Sequence, residues 1–367
     1  MASLDRIQLE GFKSIRELDL ELRSLNVLIG ANGAGKSNFI SIFELLHQLV
    51  DQNLQNHVTK SGGADNLLYF GQKTTDEIHI KLSFEENGYT AKLAPTIADN
   101  LFFAKETCWY DDREFWSRKE AIFSSGQLES KLEDGEQSPS LKAISEQVAP
   151  NMKSWQIYQF HDTSDTARIK ATGKINDNAY LRPDASNLAA FLYRLQETQF
   201  AYYDRIIKTI RKIAPFFDNF RLRPNPLNEE SIRLEWQEKG SDQYFNAHSL
   251  SDGTLRFISL ATLLLQPDDL LPSTILIDEP ELGLHPYAIV LLASLLRSTA
   301  TKTQIIVATQ SVPLVNQFAP EDIIIVDRKD RQSTFSRLNQ AEIDMWLEEY
   351  RLGDLWEKNI IGGRPQP

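Results

Sequence analysis

A chain of 367 residues with 41% hydrophobic and 10% aromatic content is long enough to bury a large core, which excludes a disordered or fibrous class. Its net charge of -12 opposes a phosphate backbone, so nucleic acid is expected to be met only by a local patch or through a partner. The single cysteine, Cys108, excludes an internal disulfide framework and a multi-cysteine zinc site, and no stretch approaches the roughly 20 apolar residues of a bilayer span. A soluble, cytoplasmic protein without a membrane partner is the expectation.

"LDRIQLEGFKSIRELDLEL" (4–22) alternates apolar and polar residues and reads as two short strands with a turn at Gly11. It leads into the apolar strand "NVLI" (26–29) and the helical run "NFISIFELLHQLV" (38–50). "EIHIKLSF" (77–84) puts Ile78, Ile80, Leu82 and Phe84 on one face, and Asn87-Gly88 offers a hairpin turn before "YTAKLA" (89–94). From about 105 to 175 no periodic element can be read, and "EDGEQSPS" (133–140) has the composition of an exposed loop. Leu188, Phe191, Leu192 and Leu195, then Ile206, Ile210 and Ile213, recur at helical spacing and predict two amphipathic helices ending at Pro215. The second carries Arg205, Lys208, Arg211 and Lys212, a candidate nucleic-acid patch or simply a solvated face.

From residue 249 the texture becomes helix and buried strand in alternation. "SLSDGTLRFISLATLLLQ" (249–266) is a helix with Ser251 and Asp252 as favoured N-cap types, followed by "STILIDEP" (273–280), "AIVLLASLLRS" (288–298), "TQIIVATQS" (303–311) and "EDIIIVD" (321–327). The fold class is therefore α/β, with a mainly parallel sheet, an antiparallel β-subdomain and a helical insertion. The expected division is an N-terminal lobe over 1–100, an insertion over 101–245, a C-terminal lobe over 246–340 and a helical tail over 341–367.

"GANGAGKS" (30–37) fits G-x-x-x-x-G-K-[ST] and lies between the strand and the helical run, the context the phosphate-loop motif requires. Gly30, Gly33 and Gly35 let the backbone curl around phosphates, and Asn32, Ala34 and Asn38 belong to the same nucleotide-binding stretch. Lys36 is expected to meet the β and γ phosphates of ATP, and the Ser37 hydroxyl to ligate Mg²⁺. In "ILIDEPELGLHP" (275–286) two carboxylates follow an aliphatic strand: Asp278 can reach the Mg²⁺ shell, and Glu279 can hold or deprotonate the attacking water. Far more chain separates Lys36 from Asp278 than one strand-helix unit needs. Asp327 and Asp330 form an acidic pair that reads better as a strand end and turn than as a metal site, and His285 reads better as structural than as a base.

Together "LIGANGAGKSN", "SLSDGTLRFISLA", "ILIDEPELGLHP" and "IIVATQS" resemble the ABC-type ATPases of the RecF, SMC and OLD group. Within that group the resemblance is to single-chain ATPases found beside nucleases in bacterial, Septu-like antiphage operons, and it extends to "GGADNLLYFG", "LRPDASNLAAFL" and "LGDLWEKNIIGG". It implies two subunits sandwiching two nucleotides, so that Ser251, Asp252 and Gly253 of one chain meet the γ-phosphate held by the phosphate loop of the other. It further implies a phosphate contact for Lys13 in "GFKSI" and a switch role for Gln310. Two departures stand out: Asp252 brings a negative charge to the signature, so that it either caps its own helix or pairs with a base across the dimer. Gln310 occupies a position often held by histidine, and its amide can hydrogen-bond but carry no proton. The resemblance thus implies an ATP- and Mg²⁺-dependent ATPase that forms a homodimer or higher oligomer and controls a separately encoded nuclease or effector in antiviral defence. The alternative is a RecF-like repair ATPase that binds DNA itself.

Overall fold

The computed structural model describes residues 3–112, 117–133 and 139–363. The chain resolves into two compact units, one from Met1–Ile157, Ser273–Leu276 and Ala319–Pro367, the other from Tyr158–Pro272 and Ile277–Phe318.

In the first unit the chain forms β1 (Arg6–Phe12), β2 (Ile15–Glu21), β3 (Leu25–Ile29), α1 (Lys36–Val50), α2 (Leu54–Lys60), β4 (Ile78–Phe84), β5 (Asn87–Pro95), β6 (Leu101–Asp112), β7 (Ser117–Ser124), α3 (Pro139–Lys153) and β8 (Trp155–Tyr158). β2-β1-β4-β5-β6-β7 is one antiparallel sheet. Alternating burial along β4 turns Ile78, Ile80, Leu82 and Phe84 inward, as period-two patterning requires. The ring of Phe43 on α1 meets Trp155 edge-on at 5.2 Å, and Phe84 stacks on the same indole at 6.0 Å, which ties helix and sheet into one core.

Both hairpin turns fall two residues away from where the sequence suggests. Phe12 pairs with Ile15, so Lys13 and Ser14 make the first turn, with Lys13 at φ +48°. Gly11 lies within β1, where φ is +74° and a Cβ would come 2.5 Å from the Glu77 carbonyl oxygen, so glycine is needed on both counts. Phe84 pairs with Asn87, so Glu85 and Glu86 make the second turn. Gly88 is required instead by the Trp109 indole, whose Cζ2 would meet a Cβ at 2.1 Å. Of the expected loop at 133–140, residues 134–138 lie outside the described residues, and Pro139 opens α3.

The second unit carries β9 (Gly173–Lys174), α4 (Leu188–Thr198), α5 (Phe200–Ile213), β10 (Phe217–Phe220), β11 (Ser231–Ile232), β12 (Glu235–Glu238), β13 (Tyr244–Asn246) and α6 (Asp252–Leu265). After β14 (Thr274–Asp278) come α7 (Pro286–Thr299), β15 (Gln304–Thr309) and α8 (Val312–Val315). α4, α5, α6 and α7 pack on one another in chain order. The two amphipathic helices are as expected, α5 burying Tyr203, Ile206, Ile207 and Ile210. α6 is buried along most of its length, and its interior hydroxyls are satisfied by carbonyls one turn back, Ser259 to Leu255 and Thr262 to Ile258.

The chain returns to the first unit with β16 (Ile323–Lys329), β17 (Gln332–Arg337), α9 (Gln340–Leu347) and α10 (Leu352–Glu357). β16 runs parallel to β3, Ile323 opposite Val27 and Ile325 opposite Ile29, and antiparallel to β17. β3 is buried at every position and β16 through Asp327, the mark of strands covered on both faces. The fold is thus α/β with a parallel component.

Candidate functional site

In the first unit the loop from Gly30 to Ser37 joins β3 to α1, and its glycines are dictated by geometry. A Cβ at Gly30 would lie 2.2 Å from the Val326 carbonyl oxygen of β16. Gly35 stands at φ +119°, where a Cβ would also come 2.1 Å from Ser333 Oγ. Gly33, at φ +78°, has open space around it, so its demand is conformational alone.

Lys36 is buried, and its ammonium donates to the carbonyls of Gly30 at 2.7 Å and Ala31 at 3.1 Å, curling back over the loop. Ser37, Asn32 and Gly33 are exposed. Asn38 donates its amide to Ser14 Oγ at 2.7 Å, and Ser14 Oγ lies 2.7 Å from Ser333 Oγ. Lys13 donates to Ser41 Oγ on α1 at 2.9 Å, and burial lowers its pKa against the pull of Glu44. Thus Lys13, Asn38 and the loop gather at one end of α1. The back of the loop is held too: the Ala31 N–H donates to the Gly363 carbonyl at 2.9 Å and Arg328 to the Gly33 carbonyl at 3.4 Å.

In the second unit Asp278 closes β14 and Glu279 stands at φ +43°, a conformation that costs a non-glycine residue about 1–3 kcal/mol and persists only where neighbours fix it. Its N–H donates to the Ala308 carbonyl at 2.8 Å, and its Oε1 accepts the Gln310 side-chain amide at 2.9 Å. The predicted Glu279 and Gln310 are therefore in direct contact. His161 Nε2 lies 2.8 Å from the Asp278 carbonyl oxygen.

At the start of α6, Ser251 Oγ accepts from the Thr254 N–H at 3.2 Å, so it is the N-cap. Asp252 neither caps the helix nor lacks a base in its own chain: its Oδ1 lies 3.9 Å from Nζ of the buried Lys170. Gly253 is packed so closely on the loop after β14 that a Cβ would come 2.3 Å from the Gly283 carbonyl oxygen. A small cavity of about 150 Å³ opens between Ser251, Gly253, His285 and Tyr287. His285 itself accepts from the Tyr287 N–H at 3.2 Å and caps α7.

Four residues join this region that the sequence does not single out. Arg256 on α6 donates to the carbonyls of Phe160 at 3.2 Å, His161 at 2.8 Å and Leu282 at 2.9 Å, lacing the helix to the segment around His161 and to the loop after Glu279. His161 and Lys170 belong to that otherwise aperiodic stretch. The fourth is Glu281, buried two residues beyond Glu279. Its one legible signal is a third carboxylate in "DEPE".

The remaining candidates take ordinary roles. On α5, Lys208 pairs with Asp204 at 2.5 Å, Arg211 with Asp218 at 3.0 Å, and Arg205 lies 4.9 Å from the Tyr202 ring centroid. Asp327 accepts from the Arg328 N–H at 2.8 Å, while Asp330 and Arg331 form the β16–β17 turn at φ +49° and +64°. Cys108 is buried, and burial pushes its thiol pKa well up, which keeps it inert.

A glycine-rich phosphate loop between a buried strand and a helix, and a carboxylate pair at the end of another strand, are each features of P-loop ATPase domains. The chain belongs to the family described as "AAA domain, putative AbiEii toxin, Type IV TA system", whose profile matches residues 25–316. Among solved structures it is similar to an SMC head bound to the C-terminal winged-helix domain of ScpA, at 17% identity and a TM-score of 0.61 over 93% of this chain and 99% of that one. It is also similar to the Smc head with an extended coiled coil from Pyrococcus furiosus, bound to the C-terminal domain of ScpA, at 14% identity and 0.59 over 95% and 99%. The SMC head of Thermotoga maritima aligns at 15% identity and 0.51 over 92% and 99%. At these identities the likeness is one of fold. No curated protein sequence matches the chain.

Proposed function

We propose that the protein is an ATP-driven switch: it binds ATP on the loop of one subunit, closes a homodimer through the α6 signature of another, and hydrolyses the nucleotide to reset a separately encoded nuclease or effector. Lys36 and the loop amides take the β and γ phosphates, with Lys13 and Asn38 as further phosphate contacts. Glu279 orients and deprotonates the attacking water, and Gln310 reports on it. Ser251 and Gly253 meet the γ-phosphate in trans through a hydroxyl, backbone amides and the positive end of α6.

Ser37 and Asp278 are the residues that would hold Mg²⁺. They offer a hydroxyl and a carboxylate, hard oxygen donors, and among the described residues no cluster of three His, Cys, Asp or Glu builds an all-protein cage. That donor set fits an ion that keeps water and phosphate oxygens in its shell. When bound, the ion would neutralise charge on the β and γ phosphates.

The observation that carries hydrolysis, as opposed to binding alone, is Glu279: a carboxylate held in a strained backbone conformation and gripped by the Gln310 amide. The family description points to a toxin–antitoxin setting, and two similar SMC heads are seen bound to ScpA, which supports control of a partner protein. An antiviral setting agrees with the resemblance of the motifs. Lys208 and Arg205 are engaged within α5 and Arg211 by Asp218 of β10, which together with the net charge of -12 argues against direct DNA binding through that helix.

The test is turnover of ATP by the full chain. Lys36→Ala abolishes nucleotide binding, and Glu279→Gln keeps binding while losing about 10²- to 10⁴-fold in turnover. Wild-type turnover in Glu279→Gln would remove its catalytic role.

A further inference from the structure

Glu281 is 9% exposed, and its two carboxyl oxygens have different fates. Oε1 accepts the Thr309 hydroxyl at 2.6 Å, whereas Oε2 is buried without a hydrogen-bond partner. Thr309 Oγ1 also accepts from the Ser311 N–H at 2.9 Å, so this one hydroxyl is fixed from both sides. Thr309 is the last residue of β15, and the next residue is Gln310, whose amide reaches Glu279. Burial, with a smaller push from the Glu279 charge, raises the Glu281 carboxyl above the usual range, while hydrogen bonds from Thr309, from its own backbone and from the Gln310 backbone oppose the rise.

Burying a carboxyl is costly, and the cost is offset only by the hydrogen bonds it makes, of which the side-chain one goes to Thr309. Its bond goes to the strand end from which the Gln310 side chain departs. Glu281 and Glu279 are linked by a tight turn, the Leu282 N–H donating to the Glu279 carbonyl at 3.2 Å and the Leu284 N–H to the Glu281 carbonyl at 3.0 Å. Beside the backbone bond from the Glu279 N–H to the Ala308 carbonyl, two side-chain ties join the loop after β14 to the end of β15, Glu279–Gln310 and Glu281–Thr309. The second tie is the buried one.

We propose that Glu281 is a positioning residue for hydrolysis, which through Thr309 fixes the end of β15 so that Gln310 holds Glu279 in line with the attacking water. The proposal rests on the assignment of Glu279 as the base. Glu281 itself touches neither water nor phosphate in this role. With the carboxyl removed, the Thr309 hydroxyl loses its acceptor, the strand end loosens, and the left-handed backbone of Glu279 loses one of the neighbours that stabilise it.

The experiment is single-turnover ATP hydrolysis by the full chain, run beside fluorescent-ATP titration and thermal melting for Glu281→Ala, Glu281→Gln, Thr309→Val and the pair Glu281→Ala/Thr309→Val. Glu281→Ala and Thr309→Val should each slow the chemical step by about 10- to 100-fold, the cost of a misplaced catalytic group, with ATP affinity unchanged. The double variant should be no slower than the slower single, because the two side chains act as one unit. Glu281→Gln should recover most of the rate, since its amide carbonyl still accepts from Thr309. Additive losses, loss of ATP affinity at an unchanged chemical step, or melting changes without a change in rate would each overturn the proposal. Glu279→Gln in the same assay separates the two readings: if it is slow while Glu281→Ala is not, only the positioning role fails, and if it is fast, the base assignment fails.

Discussion

The phosphate loop and the carboxylate end of β14 are built on different physical principles. The loop is fixed by the backbone: Gly30 and Gly35 admit no side chain because Val326 and Ser333 already occupy the space, and Gly33 and Gly35 need positive φ. The carboxylate end relies more on side chains: beside the Glu279 N–H bond to the Ala308 carbonyl, Glu279 is held by Gln310, and Glu281 holds Thr309. A backbone-determined site should fail all at once when altered. One determined by side-chain hydrogen bonds should lose rate in steps while keeping its fold.

The largest effect is expected at the loop. Gly35→Val places a β-branched side chain at φ +119° and into Ser333 Oγ, and should cost about 2–4 kcal/mol of stability together with all nucleotide binding, read by thermal melting and fluorescent-ATP titration. A variant that still binds ATP normally would show that the loop tolerates repacking and would blur the contrast. A smaller effect is expected at the carboxylate end. Gln310→Ala frees the Glu279 carboxylate, and should slow turnover by about 10- to 100-fold with less than about 1 kcal/mol change in stability. A melting loss as large as that of Gly35→Val would remove the distinction between the two regions.

The same contrast explains how much could be read in advance. The phosphate loop was legible because backbone constraints act over consecutive residues and leave fixed glycine spacing. Asp278 and Glu279 were legible because an aliphatic strand delivers them at its end. Glu281, His161, Lys170 and Arg256 were not, since their meaning depends on partners distant in sequence: Thr309, the Asp278 carbonyl, Asp252 and the Phe160 carbonyl.

In the fold, β4 announced itself by alternation, but β6 and β7 did not. Burial runs unbroken from Glu106 to Trp109, and the pairing of β6 slips against both neighbours, at Lys92/Leu93 on one side and Glu106/Thr107 on the other, which erases the period of two. Glu106 adds a charged residue to the core, made tolerable by Tyr89, Ser130, Gln127 and the Lys131 N–H, all of which donate to its carboxylate. Gly11 and Gly88 misplaced the hairpin turns for a related reason. At each another segment passes too close for a side chain, and Gly11 also stands at φ +74°, demands that look like a turn signal in one dimension.

The charge that Asp252 brings to the start of α6 is absorbed locally. Lys170, itself close to Asp165 at 3.9 Å, faces the Asp252 carboxylate, so the negative charge at the start of α6 is partly compensated within the chain. Ser251 remains the N-cap of α6 and lines the small cavity beside Gly253. These features leave the start of α6 compatible with the phosphate contact proposed for it.

The central claim is that one subunit's ATP is closed by another's signature, and the mass of the Glu279→Gln protein measures it most directly. Size-exclusion light scattering should show a dimer or higher assembly in ATP but not in ADP. Addition of Ser251→Arg should abolish that assembly while fluorescent ATP still binds. An unchanged mass in ATP with nucleotide bound, or an assembly indifferent to Ser251→Arg, would contradict the shared site and return Ser251 to being the cap of a core helix.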